Sequence, residues 1–295
     1  MVRIVSLLPS TTEILFALGG GGDVVGVTFE CDFPPEARSR RIVSISALTA
    51  GLTPAQIDAE VRSRLAAGED LYRLDADALG ELNPDLILTQ DLCAVCAVDV
   101  GTVDAALAHL GCRAQVLTVD PGTLSEVLAA IATVGQSTGH VVAAHRLVAR
   151  LQARLDRVAT AVAGRARPRV AVLEWTDPPF TAGHWVPDMV AAAGGAPALG
   201  EAGQRSVATT WEAVAGSRPD LVVVAPCGYD LPAAVDIAFR VREAGHLPAG
   251  VPVWAVDADA ASVRPGPRLL DGVEALAAIV HPDVVAARPD LATRI

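Results

Sequence analysis

Lysine is absent from the 295-residue chain, so all 23 basic side chains are arginine. A Walker-type phosphate loop needs its lysine, and pyridoxal-phosphate enzymes and Schiff-base aldolases need a nucleophilic amine, so these three chemistries have no residue to run on. The HExxH helix and the GxSxG elbow are also missing, and the glycine run at 19–22 follows a helix and fails dinucleotide-binding spacing. No apolar run is long enough to span a bilayer: the longest charge-free stretch, 127–145, is broken by Gly135, Gln136, Ser137, Thr138, Gly139 and His140. Five cysteines, an odd number in a chain of this length, do not make a disulfide framework and suit a reducing compartment. Aromatics are few, at 4%.

What is present is a compact globular composition, 52% hydrophobic and 19% charged, which excludes disorder, collagen and coiled coil. The length suits two lobes or one large α/β domain. With 34 acids against 23 bases, the net charge of −11 repels a phosphate backbone or an anionic membrane over most of the surface, so neither nucleic acid nor membrane insertion is expected. The N-terminal MVRIVSLLPSTTEILFALG opens directly as strand, loop and helix rather than as a signal peptide. This predicts a cytoplasmic monomer, or a periplasmic or extracellular one if a leader has been removed.

Short β-branched runs alternate with helical patterns: residues 4–8, 24–28, 86–89, 115–119, 170–175, 221–225 and 253–256. Such alternation predicts parallel sheets with helical crossovers. Ser10 with Glu13, Thr53 with Gln56 and Thr123 with Glu126 have capping-box spacing. The chain also echoes itself. NPDLILTQDLC from Asn83 matches RPDLVVVAPC from Arg218, RIVSLLPSTTEILFALGG from Arg3 matches RVAVLEW… from Arg169, and GCRAQVLTVD from Gly111 matches GVPVWAVDAD from Gly250. Leu147, Leu151, Leu155, Val158 and Val162 form one apolar stripe of a long helix. The expected organisation is an N-terminal α/β lobe over 1–122, a helical linker with a long bracing helix over 123–166, and a C-terminal α/β lobe over 167–295.

Ligands of open parallel α/β sheets bind outside the carboxyl ends of the strands, and two such lobes predict a cleft. The loops at those ends carry Pro9 and Ser10; Phe29, Glu30, Cys31 and Asp32; Asp91, Leu92, Cys93 and Cys96; Phe180, His184 and Trp185; Cys227, Gly228 and Tyr229; and Asp257 with Arg264. Four aromatics among them suit a large flat or apolar ligand, or else cap the lobe cores. The thiols could hold a soft metal or a redox pair, or pack as small polarisable groups. His184 is either an ordinary residue or a candidate axial ligand to a metal held inside a cofactor. Arg264, stiffened by Pro265 and Pro267, either binds ligand oxygens or pairs with a neighbouring carboxylate.

SLLPSTTEILFALG, GVTFECDFPPEA, PDLILTQDLCAVCAV, DPPFTAG and RPGPRLLDGVEALA, in lobe, helix, lobe order, resemble the cobalamin-binding proteins of the periplasmic-binding-protein-like superfamily. The resemblance implies two Rossmann-like lobes joined by a long helix, no catalysis, and cobalamin or a related corrinoid as the bound ligand. It also implies an ABC permease as partner, although the cysteine-bearing loops mark a subgroup whose members often lack a signal peptide. Matched by motif, Pro9, Ser10, Phe180, Asp257 and Arg264 would line the corrin site. The alternatives are a haem, siderophore or metal-ion binder, or a lyase or hydrolase using Glu30, Asp91 or His184 as acid and base.

Overall fold

The computed structural model describes residues 2–90, 103, 107, 114–247 and 249–295, which form two compact units. The first comprises Met1–Asp120 with Leu128–Val148, the second Pro121–Val127 with Ala149–Ile295. The residues expected as a separate linker are thus divided between the units.

In the first unit a six-stranded sheet runs in the order β4-β3-β2-β1-β5-β6. Its strands are β1 (Ile4–Ser6), β2 (Val24–Thr28), β3 (Arg41–Ser46), β4 (Tyr72–Leu74), β5 (Leu86–Thr89) and β6 (Gln115–Thr118). All pair in parallel except β4, which lies antiparallel to β3. The central β1 and β5 are buried throughout; Val5, Leu7, Val43, Leu79 and Ile87 form a core against helices α2 (Pro54–Ala66) and α3 (Ala76–Leu82), and α1 (Pro9–Ala17) packs on β1 and β2. The box at Thr53 and Gln56 closes α2 in both directions. The one expected at Ser10 and Glu13 does not form. Pro9 supplies the first helical residue, Leu8 becomes the N-cap, and Ser10 falls inside the helix, where its hydroxyl cannot cap.

Helices α4 (Leu124–Ser137) and α5 (Val141–Val162) follow, and Thr123 and Glu126 bond reciprocally at the start of α4. The second unit's sheet has the order β12-β11-β10-β7-β8, with β9 also beside β7. The strands are β7 (Arg169–Thr176), β8 (Pro179–Thr181), β9 (Ala196–Pro197), β10 (Leu221–Val224), β11 (Val253–Val256) and β12 (Ala292–Arg294). Here β8 and β12 are antiparallel, so both sheets are mixed rather than wholly parallel. Helices α6 (Val186–Ala192), α7 (Trp211–Gly216), α8 (Leu231–Glu243), α9 (Ala258–Ala261) and α10 (Leu269–Val280) cover it.

The sequence echo is reproduced atom by atom. Asn83 and Arg218, each just before Pro-Asp, both adopt left-handed backbone (φ 42° and 48°) to turn from helix into strand. The following aspartates, Asp85 and Asp220, accept from the backbone N–H of Arg3 (2.8 Å) and Arg169 (2.7 Å). Each of those arginines returns its Nε to the carbonyl that ends the helix, Arg3 to Leu82 O and Arg169 to Ser217 O. The carbonyl of Leu82, last in α3, and that of Ser217, the C-cap of α7, are satisfied in the same way.

Candidate functional site

The carboxyl ends of β1 and β2 bring α1 and the 29–33 loop to one rim of the first unit. Phe29 is 39% exposed and Phe33 41%, and the Phe29 ring lies 6.1 Å from that of Tyr72. Tyr72 Oη donates to Glu30 Oε2 at 3.0 Å, so this carboxylate is held by a phenol across 42 residues of sequence. Pro9 is partly buried; Ser10 is 2% exposed, and its Oγ has no hydrogen-bond partner. Cys31 turns inward: it is buried, and its Sγ lies 3.1 Å from Thr12 Oγ1, within a group of hydroxyls that joins Thr12, Ser6 and Thr11. Its role is packing beneath α1. Asp91, Leu92, Cys93 and Cys96 lie outside the described residues.

In the second unit β7 and β8 form a hairpin that sets Trp175 opposite Phe180. The Trp175 ring is tilted against Tyr229 at 5.7 Å, which makes an aromatic platform of Trp175, Phe180 and Tyr229 at the end of β7 and β10. Exposed Cys227 and Gly228, the latter at φ 81°, form the turn that delivers Tyr229. Partial burial pushes the Tyr229 phenol up, so it stays protonated at neutral pH.

Three expected site residues are used elsewhere. Trp185 is 6% exposed, and its indole N–H donates to Ser262 O at 2.6 Å, so it is a core residue rather than a rim aromatic. Asp257 is the N-cap of α9, accepting from Ala260 N at 2.8 Å. The Arg264 side chain is only 10% exposed and pairs with Asp259 at 3.9 Å, which realises the carboxylate-pairing alternative.

His184 takes a left-handed backbone (φ 50°) because the segment after Gly200 folds back on it. His184 N donates to Gln204 O at 2.6 Å, and Gly203 N donates to His184 O at 3.0 Å. Gly183 permits this approach, since a Cβ there would run into Ser206 N. The Nε2 of His184 is enclosed and has no hydrogen-bond partner among the described residues. Burial first, and then the Arg205 charge, lower its pKa below the ordinary 6.5. Its folded form therefore binds fewer protons than the unfolded chain, and its contribution to stability is full above about pH 6.5 and falls as the pH drops below that value. His184→Gln is expected to flatten the change in urea midpoint between neutral and mildly acidic buffer; an unchanged pH profile would assign that change to other groups.

Trp175, Tyr72 and Phe33 enter the rims without having been singled out in the sequence. Trp175 reads there as the end of a strand, and the partners of Tyr72 are distant in sequence. Among the described residues, no group of three His, Cys, Asp or Glu side chains could hold a metal ion, and no helix is long and apolar enough to cross a membrane.

A family profile described as periplasmic binding protein matches residues 4–250. The chain is 28% identical over 290 residues to the uncharacterized ABC transporter substrate-binding lipoprotein YvrC of Bacillus subtilis, covering 95% of this chain and 80% of that one. Among solved structures it is similar to the periplasmic vitamin B12 binding protein BtuF of Vibrio cholerae (TM-score 0.69, 22% identity, 94% of this chain and 96% of that one). It is also similar to the periplasmic heme-binding protein RhuT of Roseiflexus sp. RS-1 (TM-score 0.70, 26% identity, 95% and 98%). With two mixed α/β units, aromatic strand-end loops and a profile match over most of its length, the chain belongs to the periplasmic binding protein family, as a two-lobed solute-binding protein.

Proposed function

We propose that the solute is a corrinoid, cobalamin or a close relative, bound by the aromatic strand-end loops for uptake or intracellular delivery, with an ABC permease as the corresponding partner. The observation that carries this reading is the chemistry of the two rims, which are aromatic and acidic. Haem presents an iron that favours a phenolate or an imidazole, and two propionates that favour arginine. Both tyrosines of the chain are engaged as neutral phenols, Tyr72 on Glu30 and Tyr229 against Trp175, and the His184 Nε2 is enclosed. Arg264 pairs with the Asp259 carboxylate and Arg268 donates to the Asp259 carbonyl. Glu30 and Asp177 lie in the loops instead. A corrin ring offers a broad apolar face and a periphery of carboxamides, whose N–H groups suit carboxylate acceptors. The likeness to RhuT keeps haem as the second reading.

Trp175 is the reporter of this site. Cobalamin absorbs where tryptophan emits, so binding is expected to quench fluorescence, and Trp175→Phe to remove most of the quench while Trp185→Phe retains it. Phe180→Ala and Tyr229→Ala are each expected to weaken binding by about threefold to tenfold, the range of one aromatic contact. Quenching that survives in Trp175→Phe and disappears in Trp185→Phe would place the ligand elsewhere.

A further inference from the structure

Between residues 146 and 169 the chain carries seven arginines and one acid, in a protein whose net charge is −11. Four of the seven are engaged. Arg154 binds Asp271 and Glu274, Arg165 pairs with Asp283, Arg167 donates to Gly195 O and Arg169 to Ser217 O. The other three, Arg146, Arg150 and Arg157, are exposed and make no hydrogen bond or ion pair with any described residue; the Arg157 charge reaches Glu274.

Those three fall on one strip of α5. At 3.6 residues per turn, positions 146, 150 and 157 lie within about 40° of one another, and at 1.5 Å per residue they span about 17 Å. Exposed Ala149 and Ala153 beside them leave the guanidinium groups uncrowded, and Val142, 64% exposed, continues the strip one turn earlier. Like charges at i and i+4, as in Arg146 and Arg150, destabilise a helix, so nothing within the helix favours this arrangement.

We propose that this ridge is a docking surface for an anionic phospholipid bilayer. The charge complementarity is local. At physiological ionic strength the Debye length is about 8 Å, so acids elsewhere on the molecule are screened from a membrane that touches the ridge. Guanidinium is the cation that pairs with phosphate in two-point geometry. It holds no aromatic or large aliphatic anchor of the kind that centres a protein interface. Nor does it hold an aromatic for base stacking, and three cations fall short of the roughly six to ten phosphate contacts of a nucleic-acid binder. The exposed valine at its end has a place in a lipid interface and none against a sugar-phosphate backbone.

The experiment is co-sedimentation of the full chain with vesicles of phosphatidylcholine alone and of phosphatidylcholine mixed with phosphatidylglycerol, at low and at physiological salt. Binding is expected only with phosphatidylglycerol, and weaker in salt. Each guanidinium near an anionic surface favours partitioning about fivefold, so Arg146→Gln, Arg150→Gln and Arg157→Gln together are expected to reduce it about a hundredfold. Glutamine keeps helix propensity, and an unchanged melting temperature verifies the fold. Arg73→Gln, Arg218→Gln and Arg294→Gln together remove the same charge elsewhere and are expected to leave vesicle binding nearly intact. Equal loss in both triple variants would reduce the effect to net charge and overturn the proposal. So would absence of binding at low salt, or retention on duplex DNA in place of vesicles that is lost with the ridge.

Discussion

Arg154→Ala is expected to lower the unfolding free energy by about 3 kcal/mol, within the range for removing one partner of a largely desolvated ion pair and leaving the other unpaired. Its guanidinium donates from Nε to Glu274 Oε1 at 2.8 Å, and from Nη2 to Glu274 Oε2 at 2.7 Å and Asp271 Oδ1 at 2.6 Å. All three side chains are only about a quarter exposed, and the contact ties α5 to α10. Without Arg154 the two carboxylates face each other with Arg288 3.6 Å from both and the Arg157 charge reaching Glu274. The hydrogen bond from Arg154, reinforced by the surrounding arginine charges, holds the Glu274 carboxyl below its ordinary pKa of 4.5. A depressed carboxyl pKa contributes stability that is complete above the unfolded value and is lost as the pH falls through the folded one. The cost of Arg154→Ala is therefore expected to shrink below about pH 4, and Arg154→Lys, which cannot reproduce the fork, to recover only part of it. Urea unfolding of the three proteins at neutral and acidic pH checks this; equal cost at both would leave packing of the arginine stem as the cause.

Gly272→Ala is expected to be as severe, about 3 kcal/mol, the upper part of the range for overpacking. Gly272 sits inside α10, where alanine ordinarily improves a helix by about 1 kcal/mol. A Cβ there would run into the carbonyl oxygen of Ala261 and come within 2.7 Å of Met189 Cε. The methionine can yield, but the carbonyl belongs to α9, whose cap is set by Asp257, so the helices must separate. Gly216→Ala, at the end of α7 with nothing within 4 Å, is the control and is expected to be neutral or slightly stabilising. Thermal unfolding of both decides whether the crossing of α9 and α10 or helix propensity governs position 272.

The parallel strands other than β3 and the short β9, and the long helix, were legible because each carries its own period or a buried β-branched run, and the duplication was legible because both units solve the turn before Pro-Asp in the same way; β3, half exposed along its length, was not read as a strand. The edge strands β4, β8 and β12 were not legible either. Each has three residues, too few to show alternation, and exists because a neighbour offers an unpaired edge. The failed box at Ser10 shows how Pro9 decides a helix start over the residue after it.

For the site, the loops were legible but the direction of individual side chains was not. Trp185 finds its carbonyl 77 residues away, and Arg264 finds a carboxylate on the preceding short helix. Asp257 is different. An aspartate directly before Ala-Asp-Ala-Ala is a legible helix cap, and motif resemblance assigned it to the ligand instead. Trp175 belongs to the platform because β8 folds back beside it, a pairing that no local pattern announces.

Calorimetric titration of the full chain with cobalamin and, separately, with haemin tests corrinoid binding most directly. The aromatic rims with Glu30 and Asp177 predict one cobalamin per chain and haemin binding weaker by at least about tenfold, because carboxylate acceptors suit a corrin's carboxamides and disfavour propionates. Haemin bound as tightly as cobalamin, or no heat with cobalamin, would contradict the assignment.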